Sequence, residues 1–198
     1  RRYEEVTFIV AHLGTGVSVG AHINGRVEDV YDAMNEGSFS IDRAGGVPVL
    51  SLIDECYSGQ RTRKEMLRVV NGNGGVFSYL GTRDMREVEA MEVSGDEFAR
   101  RVVEALAYQI AKNIGSMAAV CKGNVDRVII TGGVANYGKL VDLLTSYISF
   151  IAPVRIFPGE EEMSALASGA LLVLRGEAAA LDYVREIEKA LRLARARR

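Results

Sequence analysis

An α/β domain built on a mixed sheet is the fold class that this 198-residue sequence predicts. Three observations carry that reading. Short, alternating, β-branched segments follow one another at the front of the chain, separated by glycine-containing turns. Two apolar strand segments further on each run directly into a helical pattern, as parallel strands joined through helices do. Between these regions one long segment repeats its apolar residues every three or four positions, the period of a helix with one buried face.

The front segments are Val6–His12, Val17–Ile23 and Arg26–Asp32. Asn24-Gly25 is the strongest hairpin signal among them, because a two-residue turn needs positive φ at both positions. A loop, NEGSFSIDRAGGVP, leads to a helix over Leu50–Ser58. Residues 59–95 read as a short helical insertion, with a basic helix near Thr62–Val70 and then the glycine-rich NGNGGVFSYLGTRD. The long helix runs from about Asp96 to Cys121, with Phe98, Val102, Leu106, Ile110, Ile114 and Met117 as its apolar face and Ser94 or Asp96 as its cap. The apolar run 125–131 gives way at Gly132-Gly133 to a helix over Tyr137–Phe150. Residues 153–157 read as another buried strand. PGEEEMSALASGALLVL reads as a helix with Pro158 and the glutamates in its first turn, where acidic charge suits the helix dipole. A final amphipathic helix covers about Ala178–Ala196. Three hairpin-linked strands followed by parallel strand–helix units fit a ribonuclease-H-like nucleotide-binding domain better than a Rossmann fold, which opens β-α-β.

Composition narrows the function classes. The formal net charge is −2, so no general basic field marks a nucleic-acid binder, and the basic end LRLARARR reads as a solvated helix end. The longest apolar run, around Leu166–Leu174, is too short for a membrane span and is interrupted by Ser168-Gly169. No secretory leader pattern is visible, and Cys56 and Cys121, lacking CxxC spacing, read as buried free thiols of a reducing compartment, placing the protein in the cytoplasm. The chain opens on Arg1 rather than methionine, as a piece of a longer protein does.

Several short stretches carry candidate chemistry. In HLGTG, residues 12–16, glycines at a hairpin turn let backbone amides approach an anion, Thr15 adds a hydroxyl, and His12 stands at the strand end; a plain turn with a structural histidine is the competing reading. In TGGVAN, residues 131–136, an apolar strand ends in Gly132-Gly133 before a helix, a place for a nucleotide to lie on backbone or simply a tight turn. Arg83, Asp84 and Arg86 flank a Gly-Thr turn. Arg43, between small residues, is suited to clamping a phosphoryl group or carboxylate. One of Glu160, Glu161 and Glu162 is suited to holding Mg²⁺ beside polyphosphate, against the simpler reading of helix-start charge. Together these are the parts that phosphoryl transfer needs, a chemistry of positioning and charge neutralisation.

The stretches VAHLGTGVSVGAHINGRVEDV, YLGTRDMREVE, VDRVIITGGVAN and FIAPVRIFPGEEEMSALASGALLVLRGE closely resemble the butyrate kinases, which belong with the acetate kinases in the superfamily of sugar kinases, heat-shock ATPases and actin (the ASKHA superfamily). The resemblance runs to about residue 185 and implies the C-terminal nucleotide-binding domain, residues 1–198, of a two-domain carboxylate kinase. It implies the reversible reaction of butyrate with ATP to give butyryl phosphate and ADP, with Mg²⁺. By the same resemblance His12, Leu13, Gly14, Thr15 and Gly16 form a phosphate loop with His12 near the transferring phosphoryl. Asp84, Met85 and Arg86 belong to the nucleotide stretch. Gly133, Val134, Ala135 and Asn136 match the adenosine loop, with Gly132 before it also counted as nucleotide-binding, and Arg43 matches the arginine that would stabilise charge on the phosphoryl group or carboxylate in catalysis. The N-terminal domain with the first phosphate loop is not in this chain, so another wall of the cleft must come from elsewhere, and a homodimer is implied. The alternatives are a kinase for another short or branched carboxylate (acetate, propionate or isobutyrate) and a non-catalytic nucleotide-binding module.

Overall fold

The computed structural model describes residues 1–180 and 182–196. They divide into two compact units, residues 1–160 and the described residues from 161 onward.

The first unit is organised by a five-stranded sheet. β1 (Thr7–Leu13), β2 (Val17–Ile23) and β3 (Arg26–Tyr31) form the antiparallel front, with Asn24 and Gly25 at positive φ in the second hairpin turn. β4 (Arg127–Gly132) and β5 (Val154–Pro158) add parallel strands on the other side of β1, giving the order β3-β2-β1-β4-β5. This is the mixed sheet that the sequence predicts. In β1, Ile9, Ala11 and Leu13 are fully buried, while Phe8, Val10 and His12, on the opposite face, are half-buried. That alternation follows from the two-residue period of a strand.

The buried face is covered by α5 (Glu97–Val120), which lies across β1, β2 and β3 and packs against α6 (Gly138–Ile148). Asp96 caps α5 by accepting hydrogen bonds from the Phe98 and Ala99 amides at 2.8 and 3.0 Å. Ser94 instead closes α4 (Met85–Val93). The buried stripe of α5 runs through Ala99, Val102, Val103, Leu106, Ala107, Ile110, Ile114 and Met117. Burying each larger aliphatic of that stripe contributes roughly 2 kcal/mol. Phe98 sits one position outside the stripe, is exposed, and lies edge-on to Tyr79.

Besides α4, three short helices lie between β3 and α5 in the chain. They are α1 (Val49–Tyr57), α2 (Arg63–Val70), closed by a Thr62–Glu65 capping box, and α3 (Gly75–Leu80). Cys56 is exposed, contrary to the sequence reading, because α1 buries none of its residues; Cys121 is buried as expected. β5 is an edge strand, with Ile156 and Phe157 exposed, rather than a buried one. Pro158 ends that strand instead of opening a helix. An edge position tolerates a residue without an N–H. Gly159, at φ +106°, then turns the chain, and its N–H donates to the Gly132 carbonyl at 3.1 Å.

The second unit contains α7 (Glu162–Leu174), with Glu161 at its cap, and α8 (Tyr183–Ala196), whose first turn is capped by Asp182 accepting from the Val184 and Arg185 amides. Among the described residues no helix is long and apolar enough to cross a membrane.

The tightest backbone approach in the sheet lies at the end of β4. Gly132 has φ +98°, and a Cβ there would meet the Leu13 carbonyl oxygen at 2.4 Å. Gly132→Ala combines a left-handed backbone with a main-chain clash, so it is expected to destabilise the fold by about 2 kcal/mol or more, read from urea unfolding midpoints at constant m-value.

Candidate functional site

The chain leaves β1 towards β2 and leaves β4 through α6 towards β5, so the two neighbouring parallel strands diverge at their C-terminal ends. In open α/β sheets ligands bind at such a divergence. A cavity of about 660 Å³ opens there. Gly14 and Thr15 line it from the β1–β2 turn, and Ile41 from the following loop. Arg83, Asp84, Met85 and Arg86 line it from the start of α4, Gly133, Val134 and Asn136 from the turn after β4, and Glu160 from beyond β5. Residues far apart in the chain thus meet in one place.

The β1–β2 turn is tight. The Gly14 N–H donates to the Gly16 carbonyl at 3.0 Å, which leaves Thr15 exposed at the tip, and the Ile41 N–H holds the Thr15 carbonyl at 3.2 Å. His12 is half-buried, and its Nε2 lies 3.2 Å from where a side chain on Gly14 would begin. Across the sheet His12 is level with Ser18 on β2 and Thr131 on β4, a polar cluster at the C-terminal end of β1 and β4. Leu13 is wholly buried in the core, so it contributes to this loop through its backbone alone.

Arg43 packs on the same turn. A Cβ at Gly16 would fall 2.2 Å from its Nη1, so glycine there is what lets the guanidinium approach. Arg43 is weakly engaged for a half-buried cation. Nη1 reaches the Ala33 carbonyl only at 3.4 Å. Its buried Nε has no hydrogen-bond partner among the described residues, facing Asp42 Oδ1 at 3.9 Å. A guanidinium carries five N–H donors, and most of those on Arg43 remain available to an anion. Arg83 is the opposite case. It stacks over the Phe77 ring at 3.5 Å, donates to Asn73 Oδ1 at 3.1 Å and to the Gly72 carbonyl, and lies 3.7 Å from Asp42 Oδ2. Its Nη2 donors are used to build the wall.

Asp84 caps α4, accepting from the Arg86 amide at 2.9 Å and from Arg86 Nε at 2.9 and 3.1 Å. The Arg86 side-chain hydrogen bond, reinforced by the Arg86 amide, holds the Asp84 carboxyl down at about 2. The turn after β4 is a 3-10 turn over Gly133–Asn136, closed by Asn136 Nδ2 donating to the Gly133 carbonyl at 2.9 Å. Ala135 is buried beneath it, and Gly132 is enclosed against Leu13. Glu160 Oε1 lies 3.2 Å from where a side chain on Gly133 would begin, so this carboxylate leans over the turn. Glu161 and Glu162 belong to the second unit, at the cap and first turn of α7.

Of the residues singled out in the sequence, Gly14, Thr15, Asp84, Met85, Arg86, Gly133, Val134, Asn136 and Glu160 line the cavity. His12, Leu13, Gly16, Arg43, Gly132 and Ala135 stand directly behind these or beside them in the turns. Ile41 was missed, since nothing in an apolar SFSI run signals a site. Among the described residues no group of three or more His, Cys, Asp or Glu side chains forms a metal cage. One carboxylate at the mouth fits a hard divalent cation held mainly by phosphate oxygens and water. A second cavity of about 620 Å³ between α1 and α2, lined by Leu52, Ile53, Cys56, Tyr57, Met66 and other residues, is mostly apolar and brings together none of these groups.

The depressed Asp84 pKa makes a signed prediction. A lowered carboxyl contributes stability to the α4 start above its unfolded value of 3.8, and that contribution fades as pH falls towards 2. Because the pair is solvent-exposed, salt screens it. In a carboxyl-carbon NMR titration Asp84 is expected to show a midpoint near 2, and Arg86→Ala to move it back towards 3.8. A wild-type midpoint already near 3.8 would show that the pair does not persist in solution.

The model of the Acetokinase family matches residues 1–151. Butyrate kinase 2 of Clostridium acetobutylicum is 46% identical over 92% of this chain and 52% of its own length. A probable butyrate kinase 2 of Caldanaerobacter subterraneus is 48% identical over 88% of this chain and 49% of its own length. The chain therefore spans about half the length of the curated relatives it matches. The crystal structure of Porphyromonas gingivalis acetate kinase superposes with a TM-score of 0.79 at 26% identity, covering 87% of this chain and 50% of that one. The acetate kinase of Entamoeba histolytica shares the fold, with a TM-score of 0.74 at 17% identity over 85% of this chain and 52% of that one. With its actin-like ATPase fold and a family match over most of its length, this chain belongs to the acetokinase family.

Proposed function

We propose that this chain is the nucleotide-binding half of a carboxylate kinase whose substrates are butyrate with ATP, or butyryl phosphate with ADP. The observation that carries the proposal is the single cavity in which the β1–β2 turn, the start of α4, the Gly133–Asn136 turn and Glu160 converge, with under-satisfied Arg43 beside it. The identity to two butyrate kinases supports butyrate over acetate or propionate as the acid.

In the proposed reaction an oxygen of the ADP β-phosphate attacks the phosphorus of butyryl phosphate. The bond from that phosphorus to the carboxyl oxygen breaks, and butyrate leaves as the carboxylate; the reverse reaction runs from butyrate and ATP. The Asp84–Arg86 stretch and the Gly133–Asn136 turn hold the nucleoside end. The turn carrying Gly14 and Thr15 holds phosphate oxygens, and Arg43 and His12 neutralise charge on the phosphoryl group in flight. Preorganised donors of this kind act without reorganising during the reaction. Of Glu160, Glu161 and Glu162, Glu160 would hold Mg²⁺, because it alone lines the cavity; the ion when bound would supply charge neutralisation and orientation to the nucleotide phosphates. The other wall of the cleft, carrying the rest of the acyl pocket, is assigned to sequence outside these residues, and the assembled enzyme is assigned as a homodimer.

The test combines binding and turnover. The chain should bind ADP in the presence of Mg²⁺ by calorimetry. In the whole enzyme, ATP formation should be faster with butyryl phosphate than with acetyl or propionyl phosphate. Arg43→Ala is expected to lower kcat by about 10²-fold or more while leaving the affinity for ADP nearly unchanged. An intact kcat in that variant refutes the role of Arg43, and ADP binding without turnover in the whole enzyme favours the non-catalytic module.

A further inference from the structure

On α4, Met85, Glu89 and Glu92 are spaced i, i+4 and i+7, which puts them on one face of the helix. Met85, Arg86 and Glu89 form one side of a small cavity of about 80 Å³, and Val134, Asn136 and Tyr137 form the other. Its two sides are thus the nucleotide stretch and the adenosine turn. Below them the Glu92 side chain is only 2% exposed and is held at both oxygens. Tyr137, the residue that follows the turn, donates its hydroxyl to Glu92 Oε2, and Lys139 donates from Nζ to Oε1 at 2.7 Å. Tyr137 is itself buried. A carboxylate taken out of water on an amphipathic helix is costly unless it is paired, so pairing to a single neighbouring segment fixes the spacing between the two elements.

We propose that Glu92 is a positioning residue of the nucleotide site: through Tyr137 and Lys139 it clasps the Gly133–Asn136 turn to α4 and so sets the width of the slot for the nucleoside. The inference rests on the nucleotide reading above. It assigns the clasp to the nucleoside end only, because Glu92, Tyr137 and Lys139 share no hydrogen bond with the β1–β2 turn, Arg43 or Glu160.

The test is calorimetric titration of the chain with ADP and, separately, with pyrophosphate, each with Mg²⁺, in the wild type, Glu92→Gln and Tyr137→Phe. The wild type is expected to bind both. Both variants are expected to bind pyrophosphate as the wild type does and ADP about tenfold more weakly, with the double variant no weaker than Glu92→Gln alone. Should Glu92→Gln fail to fold, Tyr137→Phe, which keeps the carboxylate and its Lys139 partner, carries the test. Unchanged ADP affinity in a folded variant overturns the clasp while leaving the nucleotide site standing. Equal weakening of ADP and pyrophosphate also overturns it, since that is general loosening. A wild-type chain that binds pyrophosphate but not ADP overturns the nucleotide reading itself.

Discussion

The closeness of two main chains at the ends of β1 and β4 governs the rest of the structure. Where Gly132 meets the Leu13 carbonyl there is no room for a Cβ, and the backbone adopts a left-handed conformation open to glycine. Because the strands are parallel and in register from Phe8–Arg127 to His12–Thr131, both end at the same level. The turn after β1 and the turn after β4 therefore emerge side by side. Each is then pinned from outside, the first by Ile41 and Arg43, the second by Gly159 and Glu92. A ligand cavity follows from strand register and one glycine, before any functional side chain is considered.

On that frame the two central arginines divide the electrostatic work. Arg83 is engaged by Phe77, Gly72, Asn73 and Asp42, and it forms part of the cavity wall. Arg43 has Asp42 nearby but no good hydrogen bond to it, with one Asp42 oxygen left without a partner among the described residues. A buried donor and a buried acceptor both left under-satisfied are costly in a folded protein. On the proposed reading, an incoming anion would relieve the donor side of that cost. The two arginines also differ in place: Arg83 lines the cavity, whereas Arg43 stands beside it against the β1–β2 turn.

Much of the fold was legible because its signals are local. Asn24-Gly25 specifies a turn by its own backbone preferences, and the period of α5 specifies its buried face within one residue; only Phe98 was assigned to the wrong side. What failed depended on partners elsewhere. Pro158 reads as a helix opener in isolation, yet its place at the open edge of β5 removes any need for its missing N–H. Cys56 sits in an apolar helix whose neighbours do not cover it. The site behaves the same way. Glycine turns, Arg43 and the acidic run stand out as residue types, but the approach of Arg43 to Gly16 and of Glu160 to Gly133 spans long stretches of chain that no local pattern encodes. Nor could the sequence separate Glu160 from its two neighbours, which the fold puts in a different unit. Glu92 carried no signal at all, being one acidic residue among several on a polar-looking helix.

On the proposed reading, the arrangement also separates two tasks of a carboxylate kinase. The proposed nucleoside end comprises α4 and the Gly133–Asn136 turn, joined beneath by a buried carboxylate with a tyrosine and a lysine. The proposed phosphoryl end comprises the β1–β2 turn and Arg43, joined through Ile41 and the glycine that lets the guanidinium approach. Apart from the shared strand ends, the two sets have no hydrogen bond in common. Energetic coupling between residues falls away when they share no partners. Affinity for the nucleoside can therefore change through the clasp without disturbing the charge-neutralising groups, and catalytic groups can change without loosening the slot. The one element common to both is the Gly132–Leu13 approach, which makes that glycine the position where, on the proposed reading, nucleoside binding and phosphoryl transfer would change together.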